Sequence, residues 1–343
     1  MGRGAQHWSA TIERRRKAVT PVWSRALFEP RVLLVTGKGG VGKSTVAAAL
    51  AVAATRTGLR CCLVEVEGRQ AMRSLFNTEP WDFAEREVRP DLFGMSIDPE
   101  ASLAEYLGRF YGGRRLSKLV VNSTAVDFAT TAAPGLKDVL LIGKVKELER
   151  RRDPDGRFVY DLVIVDAPPT GRIVRFLKAP EATTELVAAG PIRDQAESLM
   201  ELLLDPARLR IQLVTLLEEM PIAETVESVR ALDELGVALN PIIANRILQP
   251  RFDATTAKVA EGLSVKALRP LAARIGLDAE GSAETLLALA KRHLHRLALQ
   301  DDMRTVLDER LRLPTLELPY LATRTFGEPE LGRLADVIDD AQP

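Results

Sequence analysis

The sequence predicts an α/β fold with a mainly parallel, doubly wound sheet. Three observations carry that expectation. Apolar strand-like runs alternate with longer helix-like runs, the pattern of crossover units. A glycine-rich loop, Gly37-Lys38-Gly39-Gly40-Val41-Gly42-Lys43-Ser44-Thr45, stands between one such strand and one such helix. A later apolar run, Leu162-Val163-Ile164-Val165, delivers a single carboxylate, Asp166, at its C-terminal end, where ligands gather in open sheets of this kind.

The first strand is expected over residues 32–36, and the helix after the loop runs through strong helix formers without a breaker from Thr45 to Ala54. Further strands are expected at residues 61–66, 92–97, 162–165, 211–216, 241–245 and 315–318. Residues 100–152 and 180–209 carry no comparable strand signal and read as helical insertions above the sheet. Within the second of these, Leu199, Met200, Leu202, Leu203 and Leu204 are expected in the core, with an exposed binding face as the alternative. Arg151-Arg152-Asp153-Pro154-Asp155-Gly156 reads as the turn back into the sheet. Residues 30–340 are taken as a single domain. Residues 1–29, with the basic run Arg14-Arg15-Arg16-Lys17, form an N-terminal extension expected to be mobile, with binding to an acidic partner or a membrane surface as the alternative.

Composition narrows the partners. The 343 residues are 46% hydrophobic and 27% charged, enough for one large α/β domain. Lys and Arg number 47 against 47 Asp and Glu and are scattered among them, which argues against a nucleic-acid partner. Apolar stretches are too short to span a bilayer and the N-terminus lacks the apolar core of a signal peptide, so a cytoplasmic location is expected, with a peripheral membrane position left open. The two cysteines, Cys61 and Cys62, are adjacent on a strand and point to opposite faces, so neither a bridge nor a metal pair is expected of them.

The loop fits G-x-x-x-x-G-K-[ST]. Its glycines let the backbone wrap close to a phosphate chain, its N–H groups and the following helix N-terminus supply positive potential, and Lys43 adds a full charge. Ser44 is placed to ligate Mg²⁺, and Asp166 to hold the same ion through its water shell. Pro168-Pro169-Thr170-Gly171 is a stiff turn ending in glycine, an element that can take two positions according to a γ-phosphate. Lys38 lies beyond what the pattern requires.

With that extra lysine, Lys38 to Thr45 resembles the deviant Walker A class that includes MinD, ParA, the nitrogenase iron protein and ArsA. Asp166 to Gly171 then resembles the switch II of ArsA-type ATPases, among them the targeting ATPases for tail-anchored membrane proteins. The similarity continues through Ala133-Pro134-Gly135, through Leu213-Val214-Thr215 to Glu224-Thr225, and through Ala244-Asn245-Arg246, and covers most of residues 31–335. The combination is most similar to the actinobacterial ArsA-like ATPases, some of which occur as two unequal paralogous chains. The resemblance implies a P-loop NTPase sheet with a helical subdomain above the switch regions, and Mg²⁺-dependent ATP hydrolysis. It also implies a nucleotide-sandwich dimer, either of like chains or with a paralogous ATPase. Lys38 would reach across to the partner's phosphates, Asn245 would read adenine with Arg246 beside it, and Pro319 is a second candidate for lining the base.

Departures from the family pattern matter as much. Glu67-Gly68-Arg69-Gln70 stands where the family has Asp-Pro-Ala-His, which puts Glu67 on the catalytic aspartate. A glutamate can still orient the attacking water, and a solvated strand-end residue is the alternative. Arg172 stands where the family has His. The metal-binding C-x-x-C and the dispersed metalloid-binding cysteines are absent from the sequence, so zinc and metalloid roles are disfavoured. A hydrophobic membrane-protein client or a membrane component remains the expected target of the cycle. Three other readings stay open: a nucleotide-binding subunit with little activity alone, a MinD- or ParA-like positioning ATPase, and a small-molecule kinase.

Overall fold

The computed structural model describes residues 27–66, 68, 70–110, 135–188, 190–277 and 281–341. Among the described residues eight strands form one sheet: β1 (Val32–Gly37), β2 (Cys61–Val66), β3 (Arg86–Arg89), β4 (Leu92–Ile97), β5 (Leu162–Asp166), β6 (Leu209–Thr215), β7 (Ile242–Ile247) and β8 (Thr315–Pro319). Their order is β3-β4-β2-β5-β1-β6-β7-β8, and every pairing but β3 with β4 is parallel. Parallel strands need crossovers, and the helices supply them. These are α1 (Lys43–Arg56), α2 (Ala71–Phe76), α3 (Pro99–Phe110), α4 (Leu136–Arg150), α5 (Thr170–Leu186), α6 (Pro191–Leu204), α7 (Glu219–Glu234), α8 (Ala254–Gly262), α9 (Val265–Arg274), α10 (Ser282–Leu311) and α11 (Glu328–Asp340).

Strand alternation sends successive side chains to opposite faces, and each face is covered. Val32, Leu34, Val64, Val163 and Val165 pack into one buried layer with α4, α5, α6 and α7. Leu33, Val35, Leu63, Leu162 and Ile164 pack into the other with α1 and α11. Cys62 belongs to the first layer and Cys61 to the second; both are free thiols, and burial raises the pKa of each. Helix α1 is built almost wholly of small residues, Ala47 to Ala54 with Leu50 and Val52, all of them buried, which lets it lie close against the sheet and α11.

The strands expected from the sequence are present, two of them (61–66 and 92–97) with the expected bounds and the rest with ends shifted by no more than two residues. The edge strand β3 was not foreseen, because Arg86-Glu87-Val88-Arg89 has one apolar residue among charges, as an unprotected edge tolerates. The 151–156 turn is present, closed by Gly156 N–H donating to Asp153 O at 3.0 Å and by a bridge between Arg152 and Phe158. The packed chain begins before residue 30. Leu27 is buried, its carbonyl accepts from Asn240 Nδ2 at 2.9 Å, and Glu29 pairs with Arg210 at 2.9 Å. Residues 1–26, including the basic run, lie outside the described residues, as do Ala133 and Pro134. The 30-residue α10, between β7 and β8, was not singled out from the sequence.

Leu199, Leu202, Leu203 and Leu204 are buried, and the first three join the layer under α6. The four leucines are thus core, as expected of them, and do not form the alternative exposed binding face, while Met200 of the same run is only partly buried. Exposed large apolar side chains stand elsewhere, at Leu271 and Ile275 among others. Among the described residues no helix is long and apolar enough to cross a membrane.

Candidate active site

β1 ends in the glycine loop and α1 begins at Lys43, so the loop stands at the C-terminal edge of the central strands. Two glycines are there for spatial reasons. A Cβ on Gly37 would meet Val214 O of the neighbouring β6 at 2.1 Å. At Gly42 the backbone is left-handed, φ 91°, and a Cβ would meet Asn245 Nδ2 at 2.4 Å. That space is used: Asn245 Nδ2 donates to Val41 O at 2.9 Å and Asn245 Oδ1 accepts from Arg246 N–H at 2.9 Å. Asn245 is thus buried against the back of the loop, fixed by two hydrogen bonds.

The lysines and the hydroxyl face different neighbours. Lys43, largely buried, curls back so that Nζ donates to Lys38 O at 3.1 Å. Ser44 Oγ donates to Asp166 Oδ2 at 2.6 Å, joining the first turn of α1 to the end of β5. Register explains the encounter: β1 and β5 are adjacent with Val35 opposite Asp166, so the carboxylate ends beside the start of the loop. Thr36 Oγ1 donates to Pro168 O at 2.6 Å and Ala167 N–H donates to Val35 O at 3.0 Å, which ties the segment after Asp166 to β1. Lys38 Nζ lies 3.0 Å from Glu224 Oε1 on α7.

The donor set at Ser44 and Asp166 is hydroxyl and carboxylate oxygen, with phosphate-binding groups beside it, and this suits Mg²⁺, which binds through one or two protein oxygens plus phosphate oxygens. Among the described residues no group of three or more His, Cys, Asp or Glu could hold a metal without such help.

Glu65, opposite Asp166 across β2 and β5, is a carboxylate the sequence reading passed over. It is fully buried, its Oε1 accepts from Ala71 N–H at 2.6 Å at the start of α2, and burial first, then Asp166, raises its pKa. A charge inside the apolar run Cys61-Cys62-Leu63-Val64-Glu65-Val66 was the available signal. Glu67 and Arg69, one strand-end further, lie outside the described residues. Arg172 turns toward α4, with Nη2 3.6 Å from Asp138 Oδ1.

Beside the loop a recess of about 290 Å³ opens between Leu216 and Glu218, Asn245 and Arg246, and the α10 residues Arg296 and Gln300, with Tyr320 at its rim. Gln300 holds the wall by accepting from Leu248 N–H at 2.8 Å. Tyr320 lines the recess; Pro319, the last residue of β8, stands next to it without lining it. Arg246 adopts φ 58°, a left-handed conformation uncommon for a side chain of its size.

The family model described as anion-transporting ATPase matches residues 30–193 and 185–263. The chain belongs to this family, the ArsA ATPases. It is 40% identical over 310 residues to the ATPase BagA of Mycobacterium tuberculosis, covering 88% of this chain and 90% of that one. It is 25% identical over 332 residues to the arsenical pump-driving ATPase of Acidiphilium multivorum, covering 91% of this chain and 54% of that one. It is 21% identical over 285 residues to a putative arsenical pump-driving ATPase of Chlorobaculum tepidum, covering 69% and 66%. This ArsA-family chain is a nucleotide-binding ATP hydrolase, and its glycine loop follows the central strand β1.

Proposed function

We propose that this chain is a Mg-ATP-driven dimeric switch whose cycle serves a membrane process, either delivery of membrane proteins or the energising of transport. The Ser44 Oγ to Asp166 Oδ2 contact of 2.6 Å carries the nucleotide part of this reading. The loop amides and Lys43 hold the β- and γ-phosphates, and Ser44 and Asp166 hold Mg²⁺. When bound, Mg²⁺ would neutralise charge that builds on the phosphate oxygens during transfer to water. The adenine base occupies the recess beside Asn245, Arg246 and Tyr320, and Lys38 serves the site of a second chain. Glu67 positions the attacking water.

An output route is supported by Arg172. It follows the Asp166-to-Gly171 segment by one residue and reaches Asp138 on α4, so a displacement of that segment by the γ-phosphate is passed to the helices above the sheet. The membrane part of the reading is supported by relatives named as pump-driving ATPases. With Cys61 and Cys62 both buried in separate layers, a metalloid is a poor cargo for this chain.

A second reading, a nucleotide-binding subunit that works only beside a paralogous chain, is favoured by glutamate in place of aspartate at position 67. ATP turnover per chain, measured for the purified protein across a wide concentration range, separates the two. Specific activity that rises with concentration supports a dimer of like chains. Tight Mg-ATP binding with no turnover at any concentration removes that reading and leaves the second.

A further inference from the structure

The first lysine of the glycine loop is held by a residue that phosphate binding does not require. Lys38 Nζ lies 3.0 Å from Glu224 Oε1, and the other oxygen of the same carboxylate accepts from Thr170 Oγ1 at 3.4 Å. One side chain of α7 therefore touches both the loop and the first residue of α5. Each of its neighbours has a defined footing. Thr225, next in sequence, is buried, and its hydroxyl meets Thr215 Oγ1 at 3.0 Å and Pro221 O at 2.7 Å, which pins this turn of α7 to the last residue of β6. Thr170 follows the segment that Thr36 ties to β1 through Pro168 O at 2.6 Å. Lys38 sits on a loop whose backbone is engaged by Lys43.

The pair itself is half in solvent, with side-chain exposures of 29% for Lys38 and 37% for Glu224. An ion pair so exposed adds little to stability. What it does instead is bias where a long, flexible side chain rests, and a weak bias is easily exchanged for a stronger partner.

We infer that Glu224 is a positioning residue that keeps Lys38 on its own chain, and that its contact with Thr170 links the release of Lys38 to the state of the Asp166-to-Gly171 segment. This rests on the reading that Lys38 works across a dimer. Phosphate oxygens of a nucleotide on a second chain carry more charge than one carboxylate and draw Lys38 away. Movement of Thr170 with the segment before it removes the second hold on the carboxylate. Glu224 then competes with dimer formation, and raises the chain concentration at which two copies close on nucleotide.

Glu224→Gln keeps the side chain's size and an oxygen for Thr170 but removes the charge that holds Lys38. Two readouts test it. The first is the rate of Lys38 acylation by an amine-reactive ester without nucleotide, followed by peptide mass spectrometry with exposed Lys258 as the internal reference. It is expected to rise roughly two- to five-fold, the span of a half-exposed ion pair. The second is self-association by sedimentation with Mg²⁺ and a non-hydrolysable ATP analogue, whose half-association concentration is expected to fall by about the square of that factor, because each of the two chains gives up its hold. Thr170→Val is expected to shift the second readout in the same direction by less. A merely structural role for Glu224 would lower the melting temperature and move Lys38 and Lys258 together.

Equal Lys38 acylation in both proteins would overturn the inference. So would faster acylation with an unchanged half-association concentration, since the in-chain hold would then not compete with the dimer. Absence of nucleotide-dependent association in either protein would overturn it along with the dimer. Loss of nucleotide binding in Lys43→Ala would show that the phosphate site survives that failure.

Discussion

Gly42→Ala tests the geometry of the loop directly. The native backbone at this position is left-handed, φ 91°, and the added methyl would stand 2.4 Å from Asn245 Nδ2. Holding an alanine in that conformation costs about 1 kcal/mol. Displacing Asn245 breaks its 2.9 Å bond to Val41 O in a buried setting, which costs about 1–3 kcal/mol more. The sum, about 2–4 kcal/mol, corresponds to a melting temperature lower by roughly 3–6 °C in a chain of this size. Because the loop and the recess share Asn245, affinity for Mg-ATP is expected to fall with it, by roughly ten-fold or more. Gly39→Ala is the internal control: its Cβ would meet nothing within 4 Å, so stability is expected to stay within about 0.5 kcal/mol of wild type. Thermal unfolding and a fluorescent nucleotide titration read both variants. A Gly42→Ala protein with wild-type melting temperature and affinity would refute the reasoning.

Lys38→Ala is expected to leave Mg-ATP affinity within about two-fold while lowering turnover by roughly a thousand-fold or more, as loss of a transition-state cation does; turnover near wild type in a steady-state assay would remove Lys38 from catalysis. Glu65→Gln is expected to stabilise the protein, and to do so as a function of pH. Burial raises the Glu65 carboxyl in the folded state, so its contribution is fully present below the ordinary glutamate range and is lost as pH rises through the raised value. The variant lacks that loss while keeping an acceptor for Ala71, so its advantage in melting temperature should grow from acid toward neutral pH; an advantage that is flat or reversed across that range would contradict the assignment.

The central strands were legible because strands buried on both faces read as unbroken apolar runs, and Leu162 to Val165 is such a run. The meeting of Ser44 and Asp166 was legible for a related reason: each closes or follows a central strand, and adjacent parallel strands bring their C-terminal ends together. What escaped were contacts between elements far apart in sequence. Nothing in the local pattern places Glu224 on Lys38, 186 residues away by subtraction of their numbers, or brings Gln300 of α10 to the wall beside Asn245. Edge strand β3 escaped because its residues have little apolar surface to bury. The leucines of α6 could be read either way, since an amphipathic stripe looks the same whether it faces a sheet or a client; burial decided for the sheet.

The measurement that bears most directly on the site is ATP affinity with and without Mg²⁺ by titration calorimetry, for wild type and for Asp166→Asn. If Ser44 and Asp166 hold the ion, Mg²⁺ tightens ATP binding in the wild type and the gain is largely lost in the variant, while affinity without Mg²⁺ is similar in the two. A variant that keeps the full Mg²⁺-dependent gain would contradict the assignment of Asp166 as the partner of Ser44 at the nucleotide.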